Sequence, residues 1–174
     1  IEHPAVEACI RQHEANGACT CTRVPVQSDG RVLEADMIAA IRKETCLVTL
    51  MLANNEVGSI QPVSAVARYC RTKSILFHTD AAQAVGKVSV TIDELGNPDM
   101  ITIVGHKFGA PKGIACLYVR RDCLSWDGSS GGELIVGGGQ EFGRRGGTEN
   151  VPYIVGLGKA AEIVICETTR NRKH

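Results

Sequence analysis

No apolar run in this chain approaches the roughly 20 residues that a membrane-crossing helix needs, and no charged leader followed by an apolar stretch opens it. Net charge is lacking too: 19 Lys and Arg are balanced by 19 Asp and Glu, a formal net charge of +0. That balance removes the long-range attraction that draws nucleic acid or an anionic lipid surface. Only GRRGG at 143–147 and RNRKH at 170–174 are locally basic. Aromatic residues make up 4% of the chain, and no aromatic-interleaved repeat accompanies the glycine–arginine segment, so single-stranded bases have no stacking platform there. Internal repeats, low-complexity tracts and clear linkers are absent. The expectation is a soluble protein with no nucleic-acid or membrane partner, placed in the cytoplasm, with the mitochondrion also open.

What is present is enough apolar material, 44% of 174 residues, for one globular domain or a piece of a larger one. The chain starts at Ile1 rather than Met, which reads as a fragment or a processed chain. Its 8 cysteines are too diluted to form a disulfide scaffold. Cys9, Cys46, Cys70, Cys116 and Cys166 lie inside apolar stretches and read as small core hydrophobes. Cys19 and Cys21 form a CxC on the strand-like segment CTCTRVPV, where alternation sends both to one face. With no second Cys/His pair at ligand spacing, no metal site is expected. A reducing compartment is the simpler setting for these thiols.

The hydrophobic periods alternate along the chain. Residues 4–16 (PAVEACIRQHEAN) place Val6, Cys9, Ile10 and His13 at helical spacing, with Gly17 ending the stretch. Helical spacing returns at 34–43, at 62–71 and at 151–167. Between these lie apolar runs of strand length: CLVTLMLA at 46–53, ILFH at 75–78, MITIV at 100–104 and IACLYVR at 114–120. A run that is apolar on both faces fits a strand buried in a parallel sheet. The alternation predicts an α/β fold with a mostly parallel sheet and flanking helices.

Three of these runs deliver polar residues at the same end: NNEVG after the first, TDAAQ after the second, GHKFGAPKG after the third. Ligands of open α/β sheets bind beyond the carboxyl ends of the strands. The residues gathered there are Asn55, Glu56, His78, Asp80, Gln83, His106 and Lys107. A lysine is a nucleophile only when deprotonated, a small minority near neutrality unless burial or neighbouring cations depress its pKa from about 10.4. Taken together, a buried Lys107 and Asp80 suit a Schiff base with pyridoxal phosphate, the carboxylate keeping the pyridine nitrogen protonated.

Each residue also has a structural reading. Lys107 is then a solvated strand-end lysine, Asp80 a turn or N-cap residue, His78 a satisfied core histidine, and His3 a helix-start residue. Asn55 becomes a turn former, Gln83 a surface helix residue and Thr148 the N-cap of the last helix. The glycines at 137–139 and 146–147 serve either as loop residues or, with Arg144 and Arg145, as an anion nest.

Four ordered segments, LANNEVG at 52–58, HTDAAQAVGK at 78–87, GHKFGAPKG at 105–113 and GGGQEFGRRGGTENVPYIVGLGKAAE at 137–162, resemble the cysteine desulfurase and selenocysteine lyase family. The resemblance implies the large domain of a fold-type I pyridoxal-phosphate enzyme, partial here: 1–167 as cofactor-binding domain, 168–174 as a basic tail outside the family core. It implies removal of sulfur or selenium from cysteine or selenocysteine to give alanine. By the same resemblance Lys107 carries the cofactor and moves the substrate's α proton, Asp80 pairs with the pyridine nitrogen, and Gln83 bonds the ring's phenolic oxygen. Asn55 contacts cofactor or substrate near that oxygen, His3 stacks on the ring and shuttles a proton, and His106 helps to hold the phosphate. Thr148 reaches the phosphate bound by a partner subunit, which implies a homodimer; a sulfur or selenium acceptor protein and a link to iron–sulfur cluster assembly are implied likewise.

Val104 stands where many desulfurases have a phosphate-binding serine. An upstream phosphate loop, the substrate-carboxylate arginine and the nucleophilic cysteine of the family have no counterpart here, so none of the 8 cysteines is given that role. Two other readings therefore stand beside the first: a non-catalytic truncated subunit that keeps the fold and dimerises, and another fold-type I enzyme such as a transaminase or a kynureninase-like hydrolase.

Overall fold

A computed structural model describes residues 1–124 and 135–171, with side chains described as far as residue 167. Four strands form one sheet in the order β1-β2-β3-β4: β1 (Leu47–Thr49), β2 (Leu76–Asp80), β3 (Met100–Val104) and β4 (Ala115–Val119). β1 pairs with β2 and β2 with β3 in parallel, whereas β4 runs antiparallel to β3. The sheet is thus mostly parallel, as expected, with an antiparallel edge. Only residues 105–114 link β3 to β4, and a parallel return needs a crossover of about a dozen residues or more.

The ladder explains the apolar run at 46–53. Beyond the end of β1, Leu50 N–H donates to His78 O (3.1 Å) and Leu52 N–H to Asp80 O (2.9 Å), so pairing with β2 continues to Leu52. The period of 2 then sorts the side chains. Val48, Leu50 and Leu52, Phe77, and Ile101 with Ile103 join one apolar core. On the same face as Phe77, Thr79 is fully buried, its hydroxyl donating to Leu50 O at 2.8 Å. The intervening residues Thr49, Met51, His78, Asp80, Thr102 and Val104 all open on a single cavity.

Helix α3 (Val63–Thr72) covers the core face with Val63, Val66, Ala67 and Cys70, an i, i+3, i+4, i+7 stripe that is wholly buried. Helix α2 (Glu34–Ala39) is shorter than the expected 34–43, because the Thr45 hydroxyl claims the Arg42 amide (2.9 Å) and unwinds the chain there. Helix α1 (Pro4–Ala15) buries no residue; its Val6, Cys9 and Ile10 face the cavity instead. A single left-handed turn, α4 (Gln140–Gly143), precedes the long helix α5 (Val151–Asn171). α5 continues four residues past the expected boundary at 167.

Two sequence expectations are corrected. The CxC segment is not a strand: the Cys21 amide donates to Glu14 Oε1 (2.9 Å) and Arg23 bridges Glu7 and Glu14, which ties the segment to α1 rather than to a ladder. Of the five cysteines read as core, only Cys70 is buried; Cys9, Cys46, Cys116 and Cys166 are exposed. They sit on the cavity face of α1, just before β1, on edge strand β4 and on α5. Burial and the nearby Asp99 push the Cys70 thiol up to about 11, so it remains a protonated apolar filler.

Candidate active site

The cavity beneath α1 measures about 760 Å³, within the usual range for small-molecule sites. His3, Asn55, Asp80, Gln83, His106 and Lys107 all line it. Six of the seven residues to which the family resemblance gives a role therefore converge, from the start of α1, the turn after β1, the end of β2 and the turn after β3. Thr148 does not join them; it is exposed in the segment before α5. Nor does it cap that helix, because Asn150 accepts from Tyr153 N–H through its side-chain oxygen (3.3 Å). Glu56, one of the polar residues gathered at the strand ends, is exposed and lies outside the cavity lining.

Local structure explains each placement. His3 is the N-cap of α1, with Nδ1 accepting from the Ala5 amide at 3.2 Å, so the proton of its neutral ring lies on Nε2. His3 is thus a helix-start residue, as its structural reading expects, and it also lines the cavity. Asp80 is the last residue of β2, 7% exposed, and Oδ1 accepts from Ala82 N–H (2.8 Å), which turns the chain and fixes the carboxylate. Gln83 has its oxygen engaged by Lys87 Nζ at 3.4 Å, and an amide so held offers its nitrogen as donor. Asn55 follows Asn54, whose Oδ1 accepts from the Glu56 and Val57 amides (2.9 Å each) and shapes the turn.

Lys107 ends a 3-10 turn, Gly105–Lys107, directly after β3. Contrary to the expectation of burial, Lys107 is exposed, as is His106 beside it, on a side of the cavity that the described residues leave open. Gly105 holds the turn close to the sheet: a Cβ there would come within 2.8 Å of Ile114 O and 2.9 Å of Leu157 Cδ1.

His78 is a satisfied histidine, as its structural reading expects. Nδ1 meets Thr49 Oγ1 at 2.8 Å and Nε2 meets Thr102 Oγ1 at 2.9 Å, linking three strands across the cavity floor. Burial lowers its pKa, with Asp80 opposing the shift. Thr49 and Thr102 were not singled out from the sequence. The available signal was one hydroxyl inside each of two apolar runs, at positions that share a sheet face with His78 and Asp80. Glu2 was missed as well, and a lone acid before a helix start carries no signal of burial.

The donor set fits pyridoxal phosphate: an amine to join an aldehyde, a fixed carboxylate for a pyridine nitrogen, an amide donor for a phenolic oxygen, and an imidazole plane. Val104 lines the cavity without a hydroxyl to offer. Among the described residues no group of three His, Cys, Asp or Glu side chains is placed to hold a metal ion, and no helix is long and apolar enough to cross a membrane.

Known proteins resemble this chain in sequence and in fold. The cysteine desulfurase of Nostoc sp. is 46% identical over 163 residues, covering 94% of this chain and 39% of that protein. Cysteine desulfurase IscS of Dictyoglomus turgidum is 44% identical over 167 residues, covering 96% and 40%. The chain therefore spans about two fifths of the length of these relatives. Among solved structures, a NifS-like protein superposes with a TM-score of 0.89 at 39% identity, covering 100% of this chain and 46% of its own. SspA in complex with cysteine superposes with a TM-score of 0.82 at 39% identity, covering 93% and 45%. Cysteine desulfurases of this kind depend on pyridoxal phosphate. The family model for aminotransferase class-V matches residues 1–174, and the chain belongs to that family.

Proposed function

We propose that this chain carries the cofactor site of a pyridoxal-phosphate-dependent cysteine desulfurase, which releases sulfur from cysteine and leaves alanine. The observation that carries the reading is the convergence of Lys107, Asp80 and His3 on one cavity. Bound pyridoxal phosphate supplies an electron sink for the carbon that loses its proton. Lys107 Nζ would hold the cofactor and, once the substrate's amine has displaced it, would accept the substrate's α proton. The Asp80 carboxylate would keep a proton on the pyridine nitrogen, and Gln83 would donate to the phenolic oxygen. His3 would stack on the ring and could shuttle a proton. Asn55 would contact cofactor or substrate near that oxygen, and His106 would help to hold the phosphate.

Several finer assignments follow from the family resemblance. Selenocysteine is an alternative substrate, and sulfur or selenium passes to an acceptor protein, as in iron–sulfur cluster assembly. Thr148, outside its own cavity, serves the phosphate of a second subunit in a homodimer. The eight cysteines, all free, suit a reducing compartment such as the cytoplasm. None is assigned as the sulfur-accepting nucleophile; Cys9 is the cysteine that lines the cavity.

A second reading is a non-catalytic truncated subunit that keeps the fold and dimerises; this chain spans 39% of a curated relative. Incubating it with pyridoxal phosphate, cysteine, a keto acid and a dithiol reductant that releases bound sulfur as sulfide, and measuring alanine and sulfide, separates the two. Alanine with sulfide supports desulfuration. Transfer of the amino group to a keto acid contradicts it, and a cofactor-loaded chain that yields neither product moves the conclusion to the second reading.

A further inference from the structure

Helix α1 roofs the cavity, yet none of its residues is buried. Its ion pairs stay local: Arg11 and Arg23 bind Glu7 and Glu14, which ties the helix to itself and to the segment that follows it. Apolar packing therefore does little to fix where the start of α1, and His3 with it, lies over the sheet. Two hydrogen bonds do so instead. The Leu50 and Leu52 amides point to β2, so the Met51 amide between them faces the outer edge of β1. It donates to Glu2 Oε1 at 2.5 Å. Three residues further on, Asn54 Nδ2 donates to Ile1 O at 3.0 Å.

Asn54 is engaged at both ends of its amide. Its Oδ1 closes the turn that carries Asn55, accepting from the Glu56 and Val57 amides, while its Nδ2 holds the segment that carries His3. One side chain thus spans the two pieces of backbone that bring His3 and Asn55 to the cavity. The Ile1 side chain completes the attachment: its Cδ1 lies 3.7 Å from the place a Cβ on Gly30 would take. Gly30 is itself fixed, its carbonyl accepting from Ser59 Oγ and Gln61 Nε2 at 2.9 Å each. Neither Glu2 nor Asn54 lines the cavity, so each acts there through the residue beside it.

We propose that Glu2 and Asn54 are positioning residues, a two-point latch that fastens the start of α1 to the end of β1 and so holds His3 over the cavity in register with Asn55. Its part in the site rests on the cofactor reading above, because His3 and Asn55 are the residues that would meet the ring of pyridoxal phosphate. Two substitutions separate the latch from the local structure around it. Asn54→Asp keeps the oxygen that closes the turn and loses the donor to Ile1. Glu2→Gln keeps an acceptor for the Met51 amide, whereas Glu2→Ala removes it.

The test has two readouts. In the 174-residue chain without cofactor, a nuclear Overhauser contact between the Ile1 δ-methyl and the Gly30 α-protons is expected in the wild type and in Glu2→Gln, and is expected to vanish in Asn54→Asp. Its absence from the wild type, or its survival in Asn54→Asp, overturns the proposal. The second readout is the affinity for pyridoxal phosphate, titrated by the visible band in about 0.5 M salt to screen the charge that Asn54→Asp adds. Asn54→Asp and Glu2→Ala are expected to weaken binding by the factor that His3→Ala does, roughly 2- to 10-fold for the loss of one ring stack, with Glu2→Gln at the wild-type value. Adding His3→Ala to either variant is expected to cost nothing more, because the latch works only through His3. Losses that add to that of His3→Ala, or wild-type affinity in Asn54→Asp, overturn the proposal. Should Glu2→Ala fail to fold, Asn54→Asp carries both readouts. A wild-type chain that takes up no pyridoxal phosphate refutes the cofactor reading, and the first readout alone then decides the latch.

Discussion

Glu2 and His78 oppose each other in their effect on stability. The Glu2 carboxyl is raised by burial, so its contribution to folding is fully present below its unfolded value near 4.5 and is lost as pH rises through the higher folded value. The His78 imidazole is lowered, so its contribution is present above its unfolded value near 6.5 and is lost as pH falls through the lower folded value. Glu2→Gln removes the first dependence and keeps the second. Urea midpoints measured as pH rises from about 4.5 are therefore expected to show the variant gaining steadily on the wild type. A constant gap between the two would contradict the assigned burial of this carboxyl. At this scale the sequence was readable where chemistry and position coincide: Lys107 and Asp80 stand directly at strand ends, whereas His3 was singled out through the family resemblance. Glu2, Thr49 and Thr102 were not readable, because a single acid or hydroxyl acquires its role only when folding brings three strands into register.

At the scale of the elements, the end of the sheet remote from the site is fastened by Asp99. Its Oδ2 accepts from Phe77 N–H on β2 (2.8 Å), its Oδ1 from Arg120 Nε after β4 (2.7 Å), and its main chain pairs with both residues. Asp99 is 6% exposed, whereas the Arg120 side chain is 39% exposed, so the ion pair itself counts for less than the buried amide it satisfies. Asp99→Ala leaves the Phe77 amide without an acceptor and is expected to destabilise the fold by roughly 1–3 kcal/mol in chemical denaturation. A loss below about 0.5 kcal/mol, the range of ordinary surface changes, would contradict this account. The strands and α3 were legible because their periods are unbroken. α2 and the CxC segment were misjudged because side chains, Thr45 in one case and Glu14 in the other, take up the amides that helix or sheet would have used.

For the whole molecule, the sheet's two faces divide its work: α3 seals one as core, and α1 roofs the other as a cavity with a polar floor. The misread cysteines belong to this scale. Apolar character in a run says that a surface is covered, but not by what. Val151, Ile154 and Val155 on α5 are 60%, 42% and 65% exposed, and Leu117 on β4 is 40% exposed. These apolar surfaces occur in a chain that spans about two fifths of its curated relatives. Lys107 is open to solvent as well, which makes its chemistry the point on which the account turns. The most direct measurement is to add pyridoxal phosphate to the purified chain, record the visible absorbance, reduce with borohydride and locate the added mass by peptide mapping. The account predicts a defined band and a single label on Lys107 that is lost in Lys107→Ala. Absence of the band, or a label scattered over other lysines, would contradict it.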